Sequence, residues 1–139
     1  MKHLTTLFLL ATVLSCSQKV DDIQQLNGYW EIEKVLMENG ESKEYTVNET
    51  IDHFVVNEDL SGSRNKVRPL LDGSFITVTK DEKINLKEEN KKWIISYQTD
   101  FFSWTETIQK LDADHLELIN ESHNTYIYKR YQSEKELEK

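Results

Sequence analysis

The chain has 139 residues, a formal net charge of −8, 37% hydrophobic and 10% aromatic residues, one Pro, four Gly and a single Cys. That size fits one domain, with enough apolar content for a folded core rather than a disordered chain. The acidic balance excludes nucleic acid as a partner, since such binding rests on neutralising phosphates with a basic surface, and one Cys excludes an internal disulfide.

Lys2 and His3 precede an apolar run from Leu4 to Leu14, which has signal-peptide length and is too short to span a bilayer stably. The run ends at Leu14-Ser15-Cys16. An ordinary signal peptide cleaved near Ser15, followed by an incidental cysteine, accounts for this pattern. The position of Cys16 also resembles the lipobox of bacterial lipoproteins, in which that cysteine is lipidated and becomes the mature N-terminus. The resemblance implies a lipoprotein signal peptide over 1–15 and a membrane anchor on Cys16. It also implies an address in the cell envelope, at the outer membrane, on either its periplasmic or its outer face. Stable anchoring takes more than one acyl chain, which lipoprotein modification supplies. Residues 16–23 are then a lipidated N-terminus and polar tether, and the acids Asp21 and Asp22 resemble a surface-export signal of some outer-membrane lipoproteins.

From Leu26-Asn27-Gly28-Tyr29-Trp30 to Leu36 the chain reads as a first strand. Trp30, Ile32 and Leu36 share one face, and Tyr29, Glu31, Glu33 and Val35 the other, with Lys34 interrupting the apolar side. Gly28 lets the backbone bend or a ring lie against it. Residues 37–44 read as a polar loop around Asn39-Gly40, and 45–50 as either loop or short strand. Ile51 to Asn57 is a second strand, with Phe54 and Val56 on one face and Ile51, His53 and Val55 on the other. Ser61-Gly62-Ser63 reads as a turn, followed by a short strand over 63–69. Further strands are expected at 74–79, 83–87, 93–99, 103–111, 115–121 and 125–131, each bounded by Asp, Asn, Gly or Lys-rich turns. Residues 133–139 read as a charged tail. Eight or nine strands with tight turns indicate an antiparallel sandwich or barrel. At this length a small closed up-and-down β-barrel over 24–132 is favoured, since closure removes exposed strand edges.

Gly28-Tyr29-Trp30 on the first strand, with the late aromatic strand Tyr126-Ile127-Tyr128-Lys129-Arg130-Tyr131, resembles the bacterial lipocalin-like lipoproteins. The resemblance covers residues 24–132. It implies an up-and-down barrel that in many lipocalins holds a small apolar ligand, with an Arg of the last strand packed over the Trp to close one end. Gly28, Trp30 and Arg130 are the matching residues. The chain departs from the pattern in its shortness, its lack of a disulfide and the absence of a clear helix outside the barrel, so a barrel filled by its own side chains is the alternative.

Catalytic signals are weak. His53, His115 and His123 are scattered without the spacing of metal ligands, and no metal or cofactor site is expected. No nucleophile–base arrangement or phosphate loop occurs, so the chain is expected not to be an enzyme. Candidate ligand-lining residues are Phe54, Phe75, Trp104, Tyr126 and Tyr128, each of which also reads as core. Arg64, Lys66 and Arg68 share one strand face. They read either as an anion site at the barrel mouth or, with more weight, as a solvated face paired with nearby acids. Two functions remain: a lipid-anchored barrel binding a small hydrophobic ligand, or a non-enzymatic inhibitor, immunity or envelope accessory lipoprotein that meets another protein.

Overall fold

A computed structural model describes residues 20–79 and 81–133. The signal segment, Cys16 and most of the C-terminal tail lie outside these residues. A four-residue 3₁₀ helix, Ile23–Leu26, comes first; Asp22 caps it by accepting a 2.8 Å hydrogen bond from the Gln24 amide. Ten strands follow: β1 Gly28–Leu36, β2 Ser42–Glu44, β3 Ile51–Val56, β4 Ser61–Pro69, β5 Phe75–Thr77, β6 Glu82–Glu89, β7 Lys92–Gln98, β8 Ser103–Leu111, β9 His115–Asn120 and β10 Thr125–Arg130.

Every pairing is antiparallel, and β10 pairs with β1, so β1, β3, β4 and β6 to β10 close an eight-stranded barrel. The register of that seam sets Trp30 opposite Arg130 and Ile32 opposite Tyr128. Up-and-down connectivity gives the barrel two distinct ends. At one end the 3₁₀ helix and the 57–60 and 112–114 turns gather. At the other lie the 37–41, 70–74, 99–102 and 121–124 connections. Pairing splays towards this second end: the upper part of β1 pairs with β2, and the upper part of β4 with β5. That end is the mouth.

Three local features depart from simple alternation. The β1–β10 register shifts between Ile32 and Lys34. The bulge reverses parity, so Val35 is buried while Leu36 is exposed and Lys34 turns outward to pair with Glu44 at 3.3 Å. That is why Lys34 interrupts the apolar side without burying its charge. Ser61-Gly62-Ser63 lies in β4 and is not a turn. A Cβ on Gly62 would stand 1.9 Å from the Val55 carbonyl oxygen, so the glycine serves close strand approach. The turn before it is made by Leu60, at φ +66°. Finally, β2 falls inside the stretch that reads as a polar loop.

The core runs through the barrel from Leu26, Trp30 and Leu116 to Phe54, Ile84, Ile95, Leu118 and Tyr97.

Candidate functional site

The closed end is built on Trp30 and Arg130. Trp30 is fully buried and its indole N–H donates to the Leu26 carbonyl at 2.9 Å, tying the barrel to the 3₁₀ helix. The Arg130 guanidinium carbon lies 3.8 Å from the indole centroid. Its Nε donates to the Ala113 carbonyl at 2.9 Å, and its two terminal nitrogens donate to the Asn27 and Gln25 carbonyls at 2.7 Å each. All these acceptors are neutral, so burial depresses the Arg130 pKa. Gly28 adopts φ +117°, and a Cβ there would meet Arg130 Nη1 at 2.8 Å. Asn27 continues the β1–β3 ladder with its side chain, accepting from the Val56 amide at 2.7 Å.

The mouth half of the interior is charged. Arg64 points inward from β4, with its guanidinium carbon 4.3 Å from the Tyr97 ring centroid, 5.8 Å from Trp104 and 5.9 Å from Phe54. Its Nε reaches Glu82 at 2.6 Å, and Nη1 lies 3.7 Å from Glu106. One step nearer the rim, Lys66 Nζ stands 2.6 Å from Asp52. Burial works against the Arg64 charge, but Tyr97, Glu82, Asp52 and Glu106 outweigh it and raise its pKa. Burial pushes the Glu106 carboxyl up, although Tyr97 and Arg64 pull the other way. Tyr97 and Tyr128 are also held well above the usual phenol range, chiefly by burial. The Tyr97 hydroxyl lies close enough to Glu106 for each to bias the other's titration. Apart from this mutual contact, neither Tyr97 OH nor Glu106 Oε2 has a hydrogen-bond partner among the described residues.

Side-chain exposure varies within this group: Asp52 is 1%, Glu106 8%, Arg64 12% and Glu82 25% exposed, and Lys66, the cross-strand partner of Asp52, 43%. All five point inward by strand parity, and of these Glu82 and Lys66 are the ones water reaches most.

Of the aromatic candidates, Trp104 stacks on Tyr97 at 5.0 Å between centroids, Tyr128 is buried near Asp52, and Phe54 is a core residue beneath Arg64. Tyr126 packs against the core and accepts from Asn120 at 3.3 Å. Phe75 is different. It stands on β5 outside the barrel, stacked on Tyr29 at 4.1 Å, with Tyr29 stacked in turn on His53 at 4.2 Å. It lines no interior surface, because β5 is an added strand rather than a barrel stave. The basic trio also divides: Arg64 and Lys66 share the interior, while Arg68 is exposed beside β5. Neither Arg64 nor Lys66 is a vacant anion site, since a carboxylate lies against each. The reading of a face paired with nearby acids fits Arg64 and Lys66, with Lys66 and Arg68 solvated and Arg64 largely buried. Sequence reasoning missed Asp52, Glu82, Tyr97 and Glu106. The available signal was parity, which puts Asp52 in line with Phe54 and Val56, and Glu106 with Trp104 and Ile108. Among the described residues no group of three His, Cys, Asp or Glu gathers to hold a metal; His115 sits by Asp112 and His123 by Glu38.

With this geometry in view, the sequence profile of the lipocalin-like domain matches residues 26–118, well over half of the chain. The chain belongs to the lipocalin-like domain family. A solved structure of similar shape is that of a lipocalin-like protein from Bacteroides uniformis, with 17% identity, a TM-score of 0.49, and coverage of 77% of this chain and 99% of that one. No curated protein matches the chain.

Proposed function

We propose that this lipocalin-like protein binds a small amphiphilic or apolar molecule at the mouth of its barrel, while a lipid on Cys16 holds it in the bacterial envelope, at the outer membrane. The observation that carries the binding reading is the exposure of inward-facing Glu82 and Lys66 at the mouth, beside partners that are themselves largely buried. A barrel packed shut at both ends has no reason to leave such residues wet. On this reading the protein works by binding rather than catalysis, with Asp52 and Glu82 each held by a cation at the mouth. Native mass spectrometry of protein extracted from its own membrane tests both parts, reporting the acyl mass on Cys16 and any retained small molecule. Cys16→Ala should release the domain from the membrane fraction or leave an uncleaved precursor. Wild-type processing and fractionation of that variant would end the lipoprotein reading.

A second reading has its own observation. Apolar side chains stand exposed around the mouth, with Phe101 at 87%, Phe102 at 73% and Leu71 at 93% exposure. Such a rim suits an inhibitor, immunity or accessory lipoprotein that meets an envelope protein. Changing Phe101 and Phe102 together to Ser separates the two readings. Loss of a co-purifying protein with small-molecule binding intact favours the partner.

A further inference from the structure

The charged groups inside the mouth select what enters it. Three carboxylates, Asp52, Glu82 and Glu106, face two cations, Arg64 and Lys66. Each cation already has a carboxylate, and Arg64 is further enclosed by the Tyr97 and Trp104 rings. An anionic headgroup would therefore have to displace a carboxylate from its partner and remain beside the others. Opposite needs are left on the acceptor side. Glu106 Oε2 has Arg64 no nearer than 3.7 Å, and it and the buried Tyr97 hydroxyl have only each other, one O–H donor between two acceptor groups. A buried acceptor left short of donors costs free energy, more when it is charged. A ligand that brings N–H donors removes that cost, whereas one that brings only acceptors does not.

The apolar surface lies on the outside of this polar cup. Trp104 is partly exposed at the mouth end of β8, and Phe101 and Phe102 stand exposed in the loop just before it. Deeper in, the barrel is filled by Phe54, Ile84, Ile95 and Leu118. A tail has room at the rim and none at the closed end.

On the ligand-binding reading above, we propose that the mouth takes a protonated alkylamine-type amphiphile head first, its ammonium on Glu106 and Tyr97 and its tail along Trp104 towards Phe101 and Phe102. The amine stays protonated at neutral pH because a free alkylammonium titrates near 10.4, as a lysine does. Head-inward binding follows from the position of the unmet acceptors beneath the apolar rim.

Dodecylammonium, dodecanol and dodecanoate, each kept below its micellar concentration, provide the test. Tryptophan fluorescence and calorimetry on the folded protein read the affinities. The ammonium should bind at least about tenfold more tightly than the other two, since a site with buried polar groups discriminates strongly against a ligand that leaves them unpaired. Glu106→Gln should reduce ammonium affinity to about that of the alcohol. Tyr97→Phe keeps the ring, removes the hydroxyl and should narrow the preference, and it decides the matter if the glutamine variant melts too low to titrate. Dodecanoate or dodecanol binding as tightly as the ammonium, or a preference unchanged in both variants, overturns the proposal while the ligand-binding reading stands. Absence of binding by all three overturns both together.

Discussion

The two ends of the barrel each hold an arginine over an aromatic ring, and the two arginines are treated in opposite ways. At the closed end Arg130 gives its donors to backbone carbonyls. The carbonyls neutralise nothing, and burial lowers its pKa. At the mouth Arg64 is surrounded by acids, which hold its charge more firmly despite deeper burial. In the first arrangement all three guanidinium nitrogens donate to carbonyls and the indole N–H is bonded to Leu26. The second sets three carboxylates against two cations and is short of donors, with Tyr97 OH and Glu106 Oε2 having only each other as hydrogen-bond partners. One end is built to stay shut, and it is the other that the proposed ligand would enter.

Trp30→Ala should have the largest effect. It removes a fully buried indole and the bond to Leu26 together, so a loss of about 3–5 kcal/mol is expected in denaturant melts. A loss below about 1 kcal/mol would mean the closed end is not what holds the barrel together.

Arg64→Met should come next and should behave in a way no closed-end variant can. Removing one partner of a buried ion pair costs about 3–5 kcal/mol because the remaining charge is stranded. Adding Glu106→Gln should then recover part of the loss. Arg130 has no charged partner in its hydrogen bonds and feels only Asp112 and Asp114 at longer range, so an acid-to-amide change should recover much less of the loss in Arg130→Met. Equal behaviour of the two arginines in such cycles would erase the distinction between the ends.

Gly28→Ala is the finer test of the closed end. The residue sits at φ +117° and a methyl group would press on Arg130 Nη1. Strain of this kind costs about 1–3 kcal/mol. Because the obstructing atom ends a flexible side chain, the variant should also loosen the contact between Arg130 and Trp30, seen as a shift in tryptophan emission. Gly40→Ala, in a mouth-end turn with no atom within 4 Å, is the matched control: its φ of +88° adds strain alone, and the emission should not move.

Much of the closed end could be read from the chain, because its parts are large and few. A Gly-x-Trp on a first strand and a late Arg on an aromatic strand leave little freedom once the sheet closes. The strand spacing likewise carries the barrel, and β8 falls at its expected bounds. The mouth was harder to read for two physical reasons. Its acids are short, unremarkable residues in an acidic chain, and only the cross-strand register brings Asp52 to Lys66 and Glu82 to Arg64. The second reason is parity. Bulges in β1 and β8 move side chains across the sheet without any Gly or Pro to signal them, as Lys34 and Val35 illustrate. Phe75 was misread because nothing in Ser74 to Thr79 distinguishes an added outer strand from a barrel stave.

The smallest expected effect belongs to Glu106, and its sign is opposite to that of an ordinary paired acid. Burial raises its carboxyl pKa in the folded protein above the usual value of 4.5. The folded state therefore holds this proton more tightly than the unfolded chain does. Stability from this group is fully present below about pH 4.5 and is lost as pH rises through the folded value. Most carboxylates with depressed pKa values run the other way, as Asp59 and Asp112 do on the surface. In the wild type the two trends oppose each other across the mildly acidic range. Glu106→Gln removes one of them, so the melting temperature of the variant should climb more steeply than that of the wild type as pH rises from about 4.5 towards neutrality. Parallel profiles would mean that Arg64 and Tyr97 fully offset the burial of Glu106. The mouth would then be as complete as the closed end, with no unmet need for a ligand to fill.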